Sequence, residues 1–128
     1  MPLDLFSRKL VLVVEDEPLL ALDLENHLRK AGARVITAGH LDVALSMAGH
    51  PDLSGAVVDL RLGKECAFSV CQRLAQRDVP FVIHTGYPAD AVQREWPWVP
   101  IIEKPVSLDQ IADTLSRSLS AKVRTPTL

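Results

Sequence analysis

Leu10-Val11-Leu12-Val13-Val14-Glu15-Asp16-Glu17-Pro18 is the stretch that decides the fold. Its first five residues are apolar without alternation, as a strand covered on both faces should be. Three acids end the run. Pro18 suits the first turn of a helix, where its missing N–H would have had no partner anyway. Leu20, Leu24, Leu28 and Ala31 follow at helical spacing, and Gly32 suits the helix end. A buried strand feeding an amphipathic helix is the unit of a parallel α/β sheet.

The same alternation continues along the chain. Residues 34–37 form a short, more polar strand suited to a sheet edge. Leu41, Ala44, Leu45 and Ala48 mark a second helix, stopped by Gly49 and Pro51. Residues 55–58 form a third strand that runs into Asp59. Ala67, Val70, Cys71 and Leu74 mark a third helix, and residues 80–84 a fourth strand. Residues 89–95 form at most a short helix, crowded by Pro88 and Pro97. Residues 99–102 form a fifth strand, in which Pro100 implies an edge position or a late start. Ser107 and Gln110 predict a capping box, with Leu108, Ile111, Ala112, Leu115 and Leu119 as the buried stripe of the last helix. The expectation is a five-stranded parallel α/β domain over residues 1–121. Residues 122–128 are a loose tail, and no room remains for a second domain.

Composition narrows the function. Fourteen basic against sixteen acidic residues give a net charge of −2, without the basic stripe of a nucleic-acid binder. No apolar run is long enough to span a bilayer, and residues 1–8 lack the pattern of a signal peptide. A cytoplasmic protein is expected. Cys66 and Cys71 are five residues apart and diverge on a helix, which predicts free thiols.

In an open parallel sheet, ligands bind beyond the carboxyl ends of the strands. Glu15, Asp16 and Glu17 follow the first strand and Asp59 the third. Thr85 with Gly86 follows the fourth, and Lys104 with Pro105 the fifth. Crowded carboxylates repel unless a cation joins them. A hard divalent ion meets that need, and Mg²⁺ characteristically takes one or two carboxylates plus phosphate oxygens and waters. A carboxylate can also attack phosphorus and form an aspartyl-phosphate. Such a transfer needs little beyond positioning and charge neutralisation. Mg²⁺, the Lys104 ammonium, the Thr85 hydroxyl and backbone N–H groups would supply both.

Four motifs carry a resemblance. Val11-Leu12-Val13-Val14-Glu15-Asp16-Glu17-Pro18 looks like the first strand and acidic pair of receiver (CheY-like) domains of response regulators. Ala56-Val57-Val58-Asp59-Leu60-Arg61-Leu62 resembles their phosphoacceptor strand, His84-Thr85-Gly86 their hydroxyl position, and Glu103-Lys104-Pro105 their lysine with its proline. The likeness covers essentially the whole chain and implies a doubly wound α/β sheet of flavodoxin-like order 2-1-3-4-5. It implies that Asp59 accepts the phosphoryl group and that Asp16 and Asp59 bind Mg²⁺ directly. Glu15 would act through a water, the Arg61 carbonyl would complete the protein ligands, and Thr85 and Lys104 would hold phosphoryl oxygens. The partner implied is a histidine kinase or histidine phosphotransfer protein, with output through protein contacts. A homodimer is compatible with this reading. Such a protein catalyses only its own phosphorylation and dephosphorylation.

One position departs from the pattern. Most receivers carry an aromatic three residues before the lysine, and Ile101 stands there. Pro80-Phe81-Val82-Ile83-His84-Thr85-Gly86-Tyr87-Pro88 is similar instead to the FAT GUY group of single-domain receivers. That likeness implies that Tyr87, or a rearranged fourth helix, replaces the switch aromatic. Arg61 and Tyr87, each two residues past a site residue, predict a long-lived phosphorylated state.

Other residues have plainer readings. Glu17 opens the first helix. His84 points away from Thr85 by strand alternation and is a packed or hydrogen-bonded histidine. His27, His40 and His50 show no zinc spacing. Trp96 and Trp98 either cover the sheet edge or form a docking surface. Three rival readings compete with the receiver. A haloacid-dehalogenase-like phosphatase wants an acid where Arg61 stands. A flavin carrier wants hydroxyls and glycines where Glu15 and Asp16 stand. The third is a receiver-like interaction module that works without phosphorylation.

Overall fold

β1 (Leu10–Val14) is buried at every position because both of its faces are covered. It pairs in parallel with β2 (Arg34–Ala38) on one side and β3 (Gly55–Val58) on the other. β6 (Phe81–Thr85) and β7 (Ile101–Glu103) complete a five-stranded sheet of order β2-β1-β3-β6-β7, which is 2-1-3-4-5 counted within the sheet. The computed structural model describes residues 5–86 and 89–121. Tyr87, Pro88 and the expected tail lie outside the described residues.

Strand alternation sorts the core into two layers. Leu12, Val14, Val58 and Ile83 face α2 (Leu41–Ala48), α3 (Phe68–Gln76) and α4 (Asp90–Glu95). Val11, Val13, Val57 and Val82 face α1 (Pro18–Lys30) and α5 (Leu108–Ala121). α1 begins with Pro18, and His27, Arg29 and Lys30 in its last turn suit the negative end of the helix dipole. Leu24 and Leu28 are its buried face. The expected cap of α5 is present in its forward half: Ser107 Oγ accepts the Gln110 N–H at 3.1 Å. No helix among the described residues is long and apolar enough to cross a membrane.

Two stretches differ from the sequence reading. The last strand starts at Ile101, not at residue 99. Pro100 has no N–H to give to the ladder and serves only through its carbonyl, which accepts the Ile83 N–H at 2.9 Å. The segment after Asp59 carries no strand or helix period in the sequence. It is a hairpin of β4 (Arg61–Leu62) and β5 (Glu65–Cys66), turning at Gly63, whose φ of 61° is the left-handed geometry tight hairpins need. Cys66 is exposed on that hairpin and Cys71 is buried in α3; both are free thiols. Trp96 is buried beneath α4, with its ring centroid 5.0 Å from Phe68 and 6.0 Å from Phe81. Trp98 is half-buried, packed on the same layer and lining a cavity of about 380 Å³ with Pro80, Pro100 and Arg117. The docking reading therefore fails for Trp96, which is core.

Candidate functional site

The carboxyl ends of β1, β3, β6 and β7 lie side by side, and backbone hydrogen bonds continue one residue past the strands. The Glu15 N–H bonds the Ala38 carbonyl at 3.0 Å, the Asp59 N–H the Val14 carbonyl at 2.9 Å, and the Lys104 N–H the Thr85 carbonyl at 3.0 Å. The sheet ladder itself thus fixes where these side chains start.

Glu15, Asp16 and Asp59 each place a carboxylate oxygen within 4.8 Å of the others. Glu15 and Asp59 are buried and Asp16 is exposed. Lys104 binds two of them: Nζ is 2.8 Å from Asp59 Oδ2 and 3.2 Å from Glu15 Oε1. Backbone N–H groups hold the remaining charge. Arg61 N–H donates to Asp59 Oδ1 at 3.1 Å, Glu17 N–H to Glu15 Oε2 at 3.2 Å, and Gly63 N–H to Asp16 Oδ2 at 2.7 Å. Thr85 is fully buried at the end of β6, next to β3 in the sheet. Arg61 is exposed, and its Nε bonds the Gly63 carbonyl at 2.8 Å.

The electrostatics follow from this crowding. Burial pushes the Glu15 carboxyl above its ordinary range, and the Asp59 charge adds to that, against the Glu17 N–H and Lys104. Burial alone would lower Lys104. Its hydrogen bond to Asp59 and the charges of Asp59 and Glu15 outweigh burial and raise it, so the ammonium stays charged. Three carboxylates against one ammonium leave an excess of negative charge in a partly buried pocket. Hard oxygen donors in that number fit a divalent cation of the Mg²⁺ type.

The structure brings together Glu15, Asp16, Asp59 and Lys104, with Thr85 beside them and the Arg61 backbone against Asp59. Glu17 lends its N–H to Glu15 and stands at the head of α1. His27 Nε2 lies 2.9 Å from Asp109, joining α1 to α5, and His50 Nδ1 accepts the Asp52 N–H at 3.0 Å. Two features escaped the sequence. The Gly63 N–H reaches the site from 47 residues beyond Asp16; the only signal was the glycine between Leu62 and Lys64, in flanks too short to read as strands. His84 was expected to be packed or hydrogen-bonded. It is 3% exposed, and neither ring nitrogen has a hydrogen-bond partner among the described residues. Burial lowers its pKa, the Lys104 charge lowers it further, and Asp59 opposes the shift.

No protein-family model matches the chain. It is 32% identical over 128 residues to a probable transcriptional regulator, ycf27, of Cyanophora paradoxa, covering 95% of this chain and 52% of that one. The chain thus spans about half the length of the curated relative it matches. A response regulator protein from Burkholderia pseudomallei is 30% identical, with a TM-score of 0.75, over 88% of this chain and 69% of that one. Its crystal structure holds a phosphorylated aspartic acid, a calcium ion and citrate. A response regulator receiver protein from Sinorhizobium medicae is 26% identical, with a TM-score of 0.81, over 93% of this chain and 99% of that one.

Proposed function

Since this chain belongs to the response-regulator receiver family, we propose that it is a phosphorylation-dependent switch whose phosphoacceptor is Asp59. One observation carries the reading: the Lys104 ammonium bridges Asp59 and Glu15, within a group of three carboxylates at the carboxyl edge of a parallel sheet. The donor is the phosphohistidine of a histidine kinase or histidine phosphotransfer protein. An Asp59 carboxylate oxygen attacks phosphorus, a P–O bond forms as the P–N bond breaks, and the electron pair leaves on the histidine nitrogen, which takes a proton. Lys104 balances negative charge on the phosphoryl oxygens and the Thr85 hydroxyl donates to one of them. Asp16, Asp59, the Arg61 carbonyl and, through a water, Glu15 would hold Mg²⁺. When bound, that ion would neutralise charge on the carboxylates and the transferring group.

In this reading residues 1–121 are a receiver of the FAT GUY type. It works in the cytoplasm through protein contacts, with neither nucleic acid nor membrane as partner, and can act as a homodimer. The exposed Arg61 side chain beside Asp59 supports a long-lived phosphorylated state. The test is phosphotransfer. The protein is incubated with Mg²⁺ and acetyl phosphate and its intact mass read beside an Asp59→Asn control. A Mg²⁺-dependent adduct of one phosphate, missing in the control, is expected. No adduct from this donor or from histidine kinases would move the protein to the phosphorylation-independent module.

A further inference from the structure

Each carboxylate of the acidic group has one oxygen committed to a backbone N–H: Glu15 to Glu17, Asp59 to Arg61 and Asp16 to Gly63. The first two donors lie two residues away along the chain, so any strand ending in an acid can make such a bond. The third is different. Gly63 reaches Asp16 across 47 residues at 2.7 Å, the shortest of the three bonds, and only because the β4–β5 hairpin folds back over the end of β1. The hairpin tip is held in turn by Arg61, whose Nε bonds the Gly63 carbonyl at 2.8 Å. At Gly63 the backbone has φ 61°, and no atom lies within 4 Å of an added Cβ. The glycine is therefore there for its backbone geometry and its N–H, not for lack of space. Of the two Asp16 oxygens, Oδ1 has no hydrogen bond among the described residues.

Carboxylates that can turn only one oxygen to a cation suit Mg²⁺, which takes about six ligands in near-ideal octahedral geometry and keeps several waters. Ca²⁺ is larger, takes about six to eight oxygens, and gains from carboxylates that swing to bind through both oxygens. On the metal-binding reading given above, we propose that Gly63 is a positioning residue: its N–H fixes Asp16 as a one-oxygen ligand and so biases the site towards Mg²⁺ over Ca²⁺.

The test is calorimetric titration of the full chain with MgCl₂ alone and with CaCl₂ alone. Gly63→Pro removes the N–H. Because proline also forbids the positive φ, a semisynthetic protein with glycolic acid in place of Gly63 removes the N–H while leaving that φ accessible. Gly63→Asn restores a donor on a residue that tolerates this backbone. Loss of the N–H is expected to weaken Mg²⁺ by about tenfold, the usual effect of removing an outer-shell partner. Ca²⁺ weakens less, so the Mg²⁺/Ca²⁺ preference falls, and Gly63→Asn returns it. Unchanged affinities in the ester protein, or equal weakening of both ions, would overturn the proposal while leaving Mg²⁺-dependent phosphorylation standing. A wild-type protein that binds neither ion would remove the metal-binding reading and this inference together.

Discussion

At the scale of single residues, His84 is the position where chemistry and packing conflict. Its imidazole is buried with no hydrogen-bond partner among the described residues, and an unsatisfied buried polar group costs about 1–3 kcal/mol. His84→Leu keeps the volume and removes the polar atoms, so metal-free protein is expected to gain about 1 kcal/mol at neutral pH. The pH dependence has a definite sign. The folded pKa lies below 6.5, so the neutral ring favours the fold above pH 6.5, and that contribution is lost as pH falls through the lower folded value. Urea titrations from pH 8 down to about pH 5 should show a shallower loss of stability in the variant. A variant as acid-sensitive as the wild type would mean that His84 has found a partner in solution. Lys104 carries the opposite case: its raised pKa contributes stability that is full below 10.5 and lost as pH rises through its folded value.

At the scale of elements, two packing contacts fix how inner strands of the sheet meet the helices. Gly55, the first residue of β3, lies directly beneath α5. A Cβ there would meet Leu119 Cδ2 at 3.0 Å and Leu115 Cδ1 at 3.4 Å. Gly55→Val should therefore cost about 1–3 kcal/mol in urea denaturation, because overpacking forces helix and strand apart. Trp96 pins the short α4 to Phe68 of α3 and Phe81 of β6. Trp96→Ala should cost about 3–5 kcal/mol, and Trp98→Ala, at a half-buried position, clearly less. Equal costs would mean that both indoles belong to one core. The elements with a long apolar period, β1, α1 and α5, are legible in the sequence because burial on one or both faces imposes the period. The β4–β5 hairpin is not legible, since strands of two residues carry no period.

At the scale of the molecule, folding gathers charges that repel. Glu15 and Asp16 follow β1, Asp59 follows β3 more than forty residues later, and the sheet holds the three together. A cation that binds only the folded chain adds stability by mass action, about 2.7 kcal/mol at a hundred times its Kd. On the proposed reading, Mg²⁺ should raise the thermal midpoint of the wild type. Asp16→Asn should abolish that rise without lowering the metal-free midpoint. A midpoint insensitive to Mg²⁺ in the wild type would count against the ion.

What the sequence determined by itself was a parallel α/β sheet and the identities Glu15, Asp16, Asp59, Thr85 and Lys104 as strand-end residues. Local periodicity and the geometry of parallel sheets leave those few outcomes open. Only the tertiary structure decided which atoms meet: Lys104 on Asp59 and Glu15, Gly63 on Asp16, and His84 with no hydrogen-bond partner among the described residues. The physical reason is range. Hydrophobic period acts over a few residues of chain, whereas a hydrogen bond across 47 or 89 residues depends on where every intervening element has packed.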